Sequence, residues 1–503
     1  MSKRIEAKQK AREDKRQAQI KSGHMTYIPY KDRIKKESLP NKKSGLPTAA
    51  EEMAQRQEVI EKSTIVYRKM LPTLLQNLSK IDDPRNPNKV KHKITTLFAY
   101  GILLFVYQVG TRRNANRTMT TPILRENMNA MFPELESLPH ADTLARFLEK
   151  IEVEKIQECL IELLKDLIRR KKFKNQFPSK SYLIAVDGSQ KFYRDYEWDK
   201  RALQRHVGEE RNPQYYAYVL ETVIIFDNGM SLPLLAEILE NMDHDEQDTK
   251  QDCESKAFIR LAGKLHKIFG KNRVTIVADG LYACGPVIGL CQKYKWGFMI
   301  TLKEGSLPNV WREAIGLMRL EPSNSLAVQW GDREQQYSWA NSIEYEYNNR
   351  TRCAYLNVVV CRESWIENHS RTTGVVEEKC AQYAWISSAP LSDKNVFKRC
   401  TKMARYRWKI ESGFLVEKHE GYNFEHCYSY NWQAMKGFHY LMKIGHFLNT
   451  MAVHSEILLE YVRVRGIRGF IADMFLALSG ALLDAERIRN VVVSKHLWRL
   501  CVT

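Results

Sequence analysis

Apolar residues recur at helical spacing through residues 64–175. One helix face is outlined by the leucines Leu71, Leu74, Leu75 and Leu78. The apolar run at 97–107 predicts a buried helix, because it is too short to span a bilayer. Asp142 is placed to cap a further helix. We therefore predict a small helical domain over this part of the chain.

From residue 181 the pattern becomes that of strands. Residues 182–186 form an apolar, partly β-branched run that ends at Asp187-Gly188, and this predicts a buried strand. Residues 215–226 and 231–238 predict a hairpin, because the Asn228-Gly229 pair between them reaches positive φ at little cost.

The next elements alternate between helix and strand. A helix is predicted over about 254–269, and strands over 274–278 and 298–302. The strand at 274–278 ends at Asp279-Gly280, so two predicted strands end in an Asp-Gly pair. Active sites of open α/β sheets gather at strand ends, so the two aspartates can meet if their strands are neighbours. An Asp-Gly pair on its own is more often simply a turn.

A β-rich segment separates these elements from a helical C-terminal part. Four short strands are predicted at 326–330, 336–340, 356–361 and 383–387. The pattern divides the chain into a flexible basic arm (1–60), a helical domain (64–175), the first part of an α/β core (180–304), a β-rich insertion (305–390), the second part of the core (394–450) and a helical C-terminal region (451–503).

The composition favours a polyanionic partner. The 503-residue chain has a formal net charge of +19, and residues 1–50 hold 14 Lys or Arg against 5 Asp or Glu. Such an excess points to nucleic acid, although a merely basic soluble protein has a similar composition. The 10 cysteines include no C-x-x-C pair, so neither a zinc ribbon nor a thioredoxin-type site is predicted. The charged N-terminus has no signal-peptide pattern, which predicts a cytoplasmic protein without a membrane partner.

The segment 405–418 holds a carboxylate between two cations. At about 100° per residue on a helix, Glu411 and Lys418 lie within about 40° of Arg407, so the three side chains share one face. An Arg–Glu pair at this spacing is usually a surface salt bridge. However, three carboxylates from separate elements can bind two divalent cations, and such metals drive phosphodiester displacement. The candidate carboxylates are Asp187, Asp279 and Glu411.

This order of elements resembles the RNase H-like catalytic domain of DDE transposases from bacterial insertion sequences. In that family the first Asp lies on the first strand, the second Asp follows the fourth strand, and the Glu lies on a later helix. The residues that match these three places are Asp187, Asp279 and Glu411. The β-rich insertion and the helical domain before the core are also similar to one branch of the family.

That branch carries a signature of Tyr, two residues, Arg, three residues, Glu, six residues and Lys. Its last three places are matched by Arg407, Glu411 and Lys418. The Tyr place is occupied by Ala404, while Tyr406 lies two residues away. The family role of the tyrosine near the DNA end is therefore not expected to be retained unchanged.

The resemblance implies a fold and an activity. The fold would be α/β, with an RNase H-like core interrupted by a β-rich insertion, preceded by a helical DNA-binding domain and followed by a helical C-terminal region. The activity would be cut-and-paste transposition: binding the terminal inverted repeats, cleaving double-stranded DNA and joining a 3′-hydroxyl to target DNA. Two Mg²⁺ ions per site are implied, with Mn²⁺ as a substitute, and a nucleoid-associated homodimer in a synaptic complex.

The resemblance also suggests which residues contact DNA. The candidates are Arg407, Lys418, Lys303, Tyr406, Trp330 and Trp339. An insertion-domain tryptophan stacks a flipped base in relatives, although tryptophan is more often part of a core. Three alternatives stay open: another RNase H-like nuclease, a catalytically inactive DNA-binding descendant and an RNA-binding protein.

Overall fold

The computed structural model describes residues 3–28, 44–241, 251–368, 376–480 and 483–500. Contacts within the chain divide it into two compact units. Unit 1 comprises Met1–Glu37, Pro178–Val186 and Leu265–Trp408. Unit 2 comprises Ser38–Phe177, Asp187–Lys264 and Lys409–Thr503.

The secondary structure is mixed in both units. The helices are α1 (Lys3–Lys21), α2 (Ala49–Arg68), α3 (Leu71–Leu78), α4 (Ile94–Val106), α5 (Arg112–Thr118), α6 (Pro122–Met131), α7 (Ala141–Leu148), α8 (Glu154–Arg169), α9 (Glu254–Phe269), α10 (Gly285–Tyr294), α11 (Pro308–Leu320), α12 (Val396–Lys402), α13 (Trp408–His419), α14 (Trp432–Val453), α15 (Glu456–Gly480) and α16 (Ala485–Val493). The strands are β1 (Thr26–Ile28), β2 (Tyr182–Arg194), β3 (Leu203–Val207), β4 (Asn212–Ile225), β5 (Ser231–Ile238), β6 (Val274–Ala278), β7 (Gly297–Thr301), β8 (Ser325–Trp330), β9 (Arg333–Tyr347), β10 (Arg352–Asn368) and β11 (Val376–Ser387).

Unit 1 is built on a mixed sheet. Its strands follow the order β1, β8, β9, β10, β11, β7, β6 and the first part of β2. The neighbours β2, β6 and β7 are parallel, and β11 joins β7 in the antiparallel sense. All five residues of β6 are buried, as expected for a central parallel strand covered on both faces.

The segment predicted to be β-rich contains four strands, and three of them are much longer than their apolar cores suggested. The predicted strands correspond to β8, β9, β10 and β11, and β10 extends over 17 residues. Helix α11 also lies in this region and packs against β9. A proline in its first turn and an amphipathic sequence favour the helix.

The predicted flexible arm is helical over α1. Arg12 donates to Ser364 Oγ (2.8 Å) and pairs with Glu378 (2.8 Å), so the basic helix docks on β10 and β11 through complementary charge. The short strand β1 pairs in parallel with β8. Residues 29–43 of the predicted arm lie outside the described residues.

Unit 2 is centred on α14, which is buried along almost its whole length. Helices α4, α7 and α8 and strand β5 pack around it. A Cβ atom on Gly445 would lie 2.6 Å from Phe105 Cβ, so glycine permits the close approach of α14 to α4. The predicted buried helix at 97–107 is confirmed as α4. The N-terminal helical region and the C-terminal helices, which the sequence pattern separated, belong to the same unit.

Local predictions in unit 2 held with small shifts. Strands β4 and β5 form the predicted hairpin, and Gly229 in its turn has φ +81°. Helix α7 is capped by His140, whose Nδ1 accepts from the Asp142 N–H (3.3 Å), so Asp142 is not the cap but lies in the first turn. Among the described residues, no helix is long and apolar enough to cross a membrane.

Candidate active site

Asp279 follows β6 in unit 1 and is held by its own backbone. Its Oδ1 accepts from the Leu281 N–H (2.9 Å) and caps the short 3-10 helix Gly280–Tyr282. A Cβ atom on Gly280 would lie 3.1–3.3 Å from the methylene carbons of Lys303. The glycine therefore lets Lys303 pass directly beside the Asp279 turn.

Asp187 belongs to unit 2 and lies within β2, which continues to Arg194. The prediction that the strand ends at Asp187-Gly188 is therefore wrong, and a turn does not explain the glycine. A Cβ atom on Gly188 would lie 2.6 Å from the Tyr218 ring and 2.9 Å from Glu254 Cδ. Close packing of these two side chains is what requires glycine beside Asp187.

Tyr218 links the Asp187 strand to the start of α9. Its hydroxyl donates to Glu254 Oε1 (2.7 Å). Burial raises the pKa of Tyr218, and the negative charges of Glu254 and Asp187 raise it further. The phenol therefore remains a protonated donor at all ordinary pH values, and Glu254 is a carboxylate near Asp187 that the sequence pattern did not single out.

Glu411 lies in the first turn of α13 and is exposed. Lys418 lies in the last turn, seven residues on, which returns it to within about 20° of the same face. Lys418 pairs with Glu425 (3.0 Å). Arg407 precedes the helix, at the end of the 3-10 helix Ala404–Arg407. The predicted shared face therefore joins Glu411 and Lys418, while Arg407 stands in a different backbone segment.

A pocket of about 310 Å³ in unit 1 brings two predicted DNA contacts together. Its lining includes Lys303, Arg407, Trp311, Tyr383, Trp385 and Trp408. The rings of Tyr383 and Trp385 stack at 5.9 Å, and Trp408 meets Tyr383 edge-on at 6.0 Å. Two cations beside several aromatic rings suit a ligand that is both anionic and planar.

Arg405 also lines this pocket, and the sequence pattern did not single it out. It is 9% exposed and donates to Glu363 Oε2 (2.9 Å). Its guanidinium lies 4.4 Å from the Tyr383 ring centroid and 5.6 Å from that of Trp408. The alternation of Arg and aromatic residues in 405–408 was the available signal, because guanidinium planes stack on aromatic faces.

The remaining predicted DNA contacts are less accessible. Tyr406 and Trp339 are each 4% exposed, so contact with DNA would require the surrounding structure to open. Trp330 is half-buried and packs edge-on against Phe397 at 6.2 Å. None of these three residues lines the pocket that holds Lys303 and Arg407.

The three candidate carboxylates offer the hard oxygen ligands that Mg²⁺ prefers. Asp187 Oδ1 accepts from the Gly188 N–H (2.9 Å), and Asp279 Oδ1 accepts from the Leu281 N–H (2.9 Å). Within the described parts of the chain, no group of three or more His, Cys, Asp or Glu side chains is arranged to hold a metal ion. The oxygen ligands of the three carboxylates fit the chemistry of Mg²⁺. Because the described residues show no preassembled metal-binding group, metal binding stays a prediction.

Comparison with known proteins bears on the helical part of unit 2. Residues 75–164 match a family model described as DDE_Tnp_1-associated. A comparison with curated proteins gave no match. The matched segment runs from α3 into α8, outside the carboxylates and the pocket. The matched segment is therefore similar to a domain that is associated with DDE-family transposases.

Proposed function

We propose that the chain is a DDE-family transposase that binds the terminal inverted repeats of an insertion sequence, cleaves DNA there and joins the 3′-hydroxyl ends to target DNA. The main support is one feature of the sheet in unit 1. Ala185 on β2 pairs with Val277 on the parallel strand β6. Two residues beyond each partner the sequence holds a carboxylate, Asp187 or Asp279. Equivalent positions on parallel neighbours suit a pair of metal-binding carboxylates.

Asp187, Asp279 and Glu411 are proposed to hold two Mg²⁺ ions, for which Mn²⁺ would substitute. When bound, such ions activate the attacking oxygen and stabilise the leaving one. The chain itself orients the carboxylates. The Leu281 and Gly188 N–H groups each hold one oxygen of an aspartate, which fixes the direction of the other.

We propose that lysine and arginine side chains near these carboxylates bind the phosphates of the DNA. Lys303 passes beside the Asp279 turn and, with Arg407, lines the aromatic pocket. Lys418 lies on the Glu411 face of α13. Phosphates attract such cations at every sequence, which agrees with the net charge of +19. Action as a homodimer in a synaptic complex is proposed from the family resemblance.

The decisive test is cleavage of duplex DNA carrying the ends that flank the coding sequence of the chain. We expect Mg²⁺-dependent nicks at the element boundary, and a loss of roughly 100-fold or more in Glu411→Gln, because a metal ligand is removed. DNA-end binding by that variant should be retained. The control is Glu460→Gln, an exposed glutamate on α15 that pairs only weakly with Arg463 (3.9 Å).

Three outcomes would change the conclusion. Retained cleavage in Glu411→Gln would remove Glu411 from the active site. Binding of DNA without nicks, in Mg²⁺ and Mn²⁺ alike, would favour the catalytically inactive DNA-binding descendant. Cleavage without preference for the element ends would favour another RNase H-like nuclease.

A further inference from the structure

A chain of buried charged and polar groups crosses unit 2. It consists of Lys191 on β2, Glu221 on β4, Glu417 on α13, and His439 and Lys443 on α14, and is called here the Lys443 cluster. Each of these residues is at most 5% exposed. Buried charges are costly unless they are paired. Five buried charged or polar side chains in one place therefore call for a reason beyond packing.

Lys443 is the centre of the cluster. Its Nζ donates to both carboxylate oxygens of Glu417 (2.8 and 2.9 Å) and also to Glu221 Oε2. His446, one turn further along α14, places Nδ1 2.6 Å from Glu417 Oε1. A single ammonium group thereby joins α13 to β4.

The cluster continues to β2, the strand that carries Asp187. His439 Nε2 lies 3.3 Å from Glu221 Oε1, and His439 Nδ1 lies 3.2 Å from Lys191 Nζ. Lys191 also donates to the Phe424 carbonyl (3.0 Å). Lys191 is four residues from Asp187, on the same face of β2.

The titrating members have divergent proton affinities. Burial raises the pKa of Glu221 to about 7. Burial alone would also raise that of Glu417, but Lys443 and His446 lower it to about 2. Burial lowers the pKa of Lys191 to about 8 and holds that of His439 well below its usual range. Of the two carboxylates in the cluster, Glu417 is therefore the one that is fully charged at neutral pH.

Glu417 is also the polar member of the face by which α13 is anchored. The buried residues of this helix are Ile410, Phe414 and Glu417, at the spacing of one face. Apolar contacts are non-directional, so Ile410 and Phe414 alone tolerate sliding. A slip of one residue would move Glu411 by about 1.5 Å along the axis and about 100° around it. The two hydrogen bonds from Lys443 to Glu417 oppose such a slip.

We propose that the Lys443 cluster is a positioning device that sets the rotation and height of α13, and so holds Glu411 in place relative to the strand that carries Asp187. This role rests on the proposed function, because only a reacting Glu411 needs that precision. Glu417 and Lys443 act through α13 and touch no substrate. They are positioning residues, distinct from the three carboxylates.

The test combines amide hydrogen exchange with the metal requirement, using the full chain. In Glu417→Gln we expect the amides of α13 to exchange roughly tenfold faster or more, while those of α4 are unchanged. The Mg²⁺ concentration for half-maximal DNA cleavage should rise about tenfold, with DNA-end binding unchanged. Faster exchange confined to α13 in a folded protein would show that the cluster positions this helix, rather than stabilising unit 2 as a whole.

Lys436→Met is a matched control. Lys436 is a second buried lysine of α14, and it pairs with Glu240 (2.8 Å) and Glu154 rather than with α13. Its loss should lower stability without selective exchange in α13 and without a change in the Mg²⁺ requirement. Lys443→Arg, which keeps the charge, should restore part of the α13 protection that Lys443→Met loses.

Either of two results would overturn the positioning role. One is a uniform rise in exchange across unit 2 in Glu417→Gln, and the other is an unchanged Mg²⁺ requirement in an active protein. A wild-type chain that cleaves no DNA would instead overturn the proposed function. The exchange measurement would then still decide whether the cluster holds α13.

Discussion

Two buried ion clusters are centred on Arg405 and on Lys443, and they differ in what surrounds them. In unit 1, Arg405 pairs with Glu363, which also lies 3.2 Å from Arg333. In unit 2, Lys443 stands between Glu417 and Glu221. Arg405, Glu363 and Arg333 are called here the Arg405 cluster. Aromatic rings border Arg405, which lines the pocket described above. The Lys443 cluster is enclosed by helices and strands.

The difference follows from the chemistry of the two cations. Guanidinium is weakly hydrated and stacks on aromatic rings, so Arg405 is buried at modest cost at the edge of a ligand site. Ammonium is compact and strongly hydrated, so Lys443 requires carboxylates close on two sides. The first cluster is suited to binding a ligand, whereas the second is suited to fixing one arrangement of the backbone.

The largest expected effect separates the two clusters by stability. Lys443→Met leaves Glu417 and Glu221 buried without their shared cation, so we expect a loss of roughly 3–5 kcal/mol in the free energy of unfolding of unit 2. Arg405→Met should cost less, about 1–3 kcal/mol, because Glu363 keeps Arg333 as a partner. Urea titrations of both variants, followed by circular dichroism, measure the difference. Equal losses of stability in the two variants would mean that Arg333 does not compensate Glu363 for the loss of Arg405.

The next effect is the dependence of stability on pH. The pKa of Glu417 is depressed to about 2 in the fold, through Lys443 and His446 against the effect of burial. Its contribution is therefore present above about pH 4.5, the range of an unperturbed glutamate, and is lost as pH falls toward 2. Glu221 has the opposite sign: its raised pKa, about 7, stabilises the fold at low pH and less as pH rises through 7.

The pH dependence is measured by comparing wild type with Glu417→Gln. We expect the wild type to be more stable at pH 6 and the difference to shrink steadily between pH 4.5 and 2. A constant difference over that range would show that the carboxylate charge of Glu417 contributes nothing. Unfolding titrations with guanidinium chloride at each pH give the required free energies of unfolding.

The elements of the fold were more accessible to sequence reasoning than the site was. Helix α9 and strand β6 have the predicted bounds, because apolar periodicity and turn residues act locally. Docking of α1 was missed because it depends on residues more than 300 positions away, such as Ser364. The packing of Tyr218 against Gly188 also joins residues that are distant in the sequence, so the glycine was mistaken for a turn.

The candidate site shows the same division. Asp279 and Glu411 were predicted from local patterns, a strand end and a helical face, and the structure places them after β6 and on α13. Arg405 and Glu417 were missed, because their importance comes from partners on other elements. A charged residue within an apolar helix face, as Glu417 is between Phe414 and the helix end, is the clue that sequence alone offers.

The smallest expected effect concerns the pocket beside the Arg405 cluster. Lys303 is exposed and lies beside the Asp279 turn, so its ammonium is placed to contact a phosphate rather than to support the fold. In Lys303→Ala we expect the slope of log K against log salt for duplex DNA to fall in magnitude by about 1, with unfolding unchanged. Lys293→Ala, an exposed lysine of α10 that does not line the pocket, is the control. An unchanged salt slope in Lys303→Ala, with weaker binding in Lys293→Ala, would place the DNA on another face of unit 1 and leave the Arg405 cluster as a structural counterpart of the Lys443 cluster.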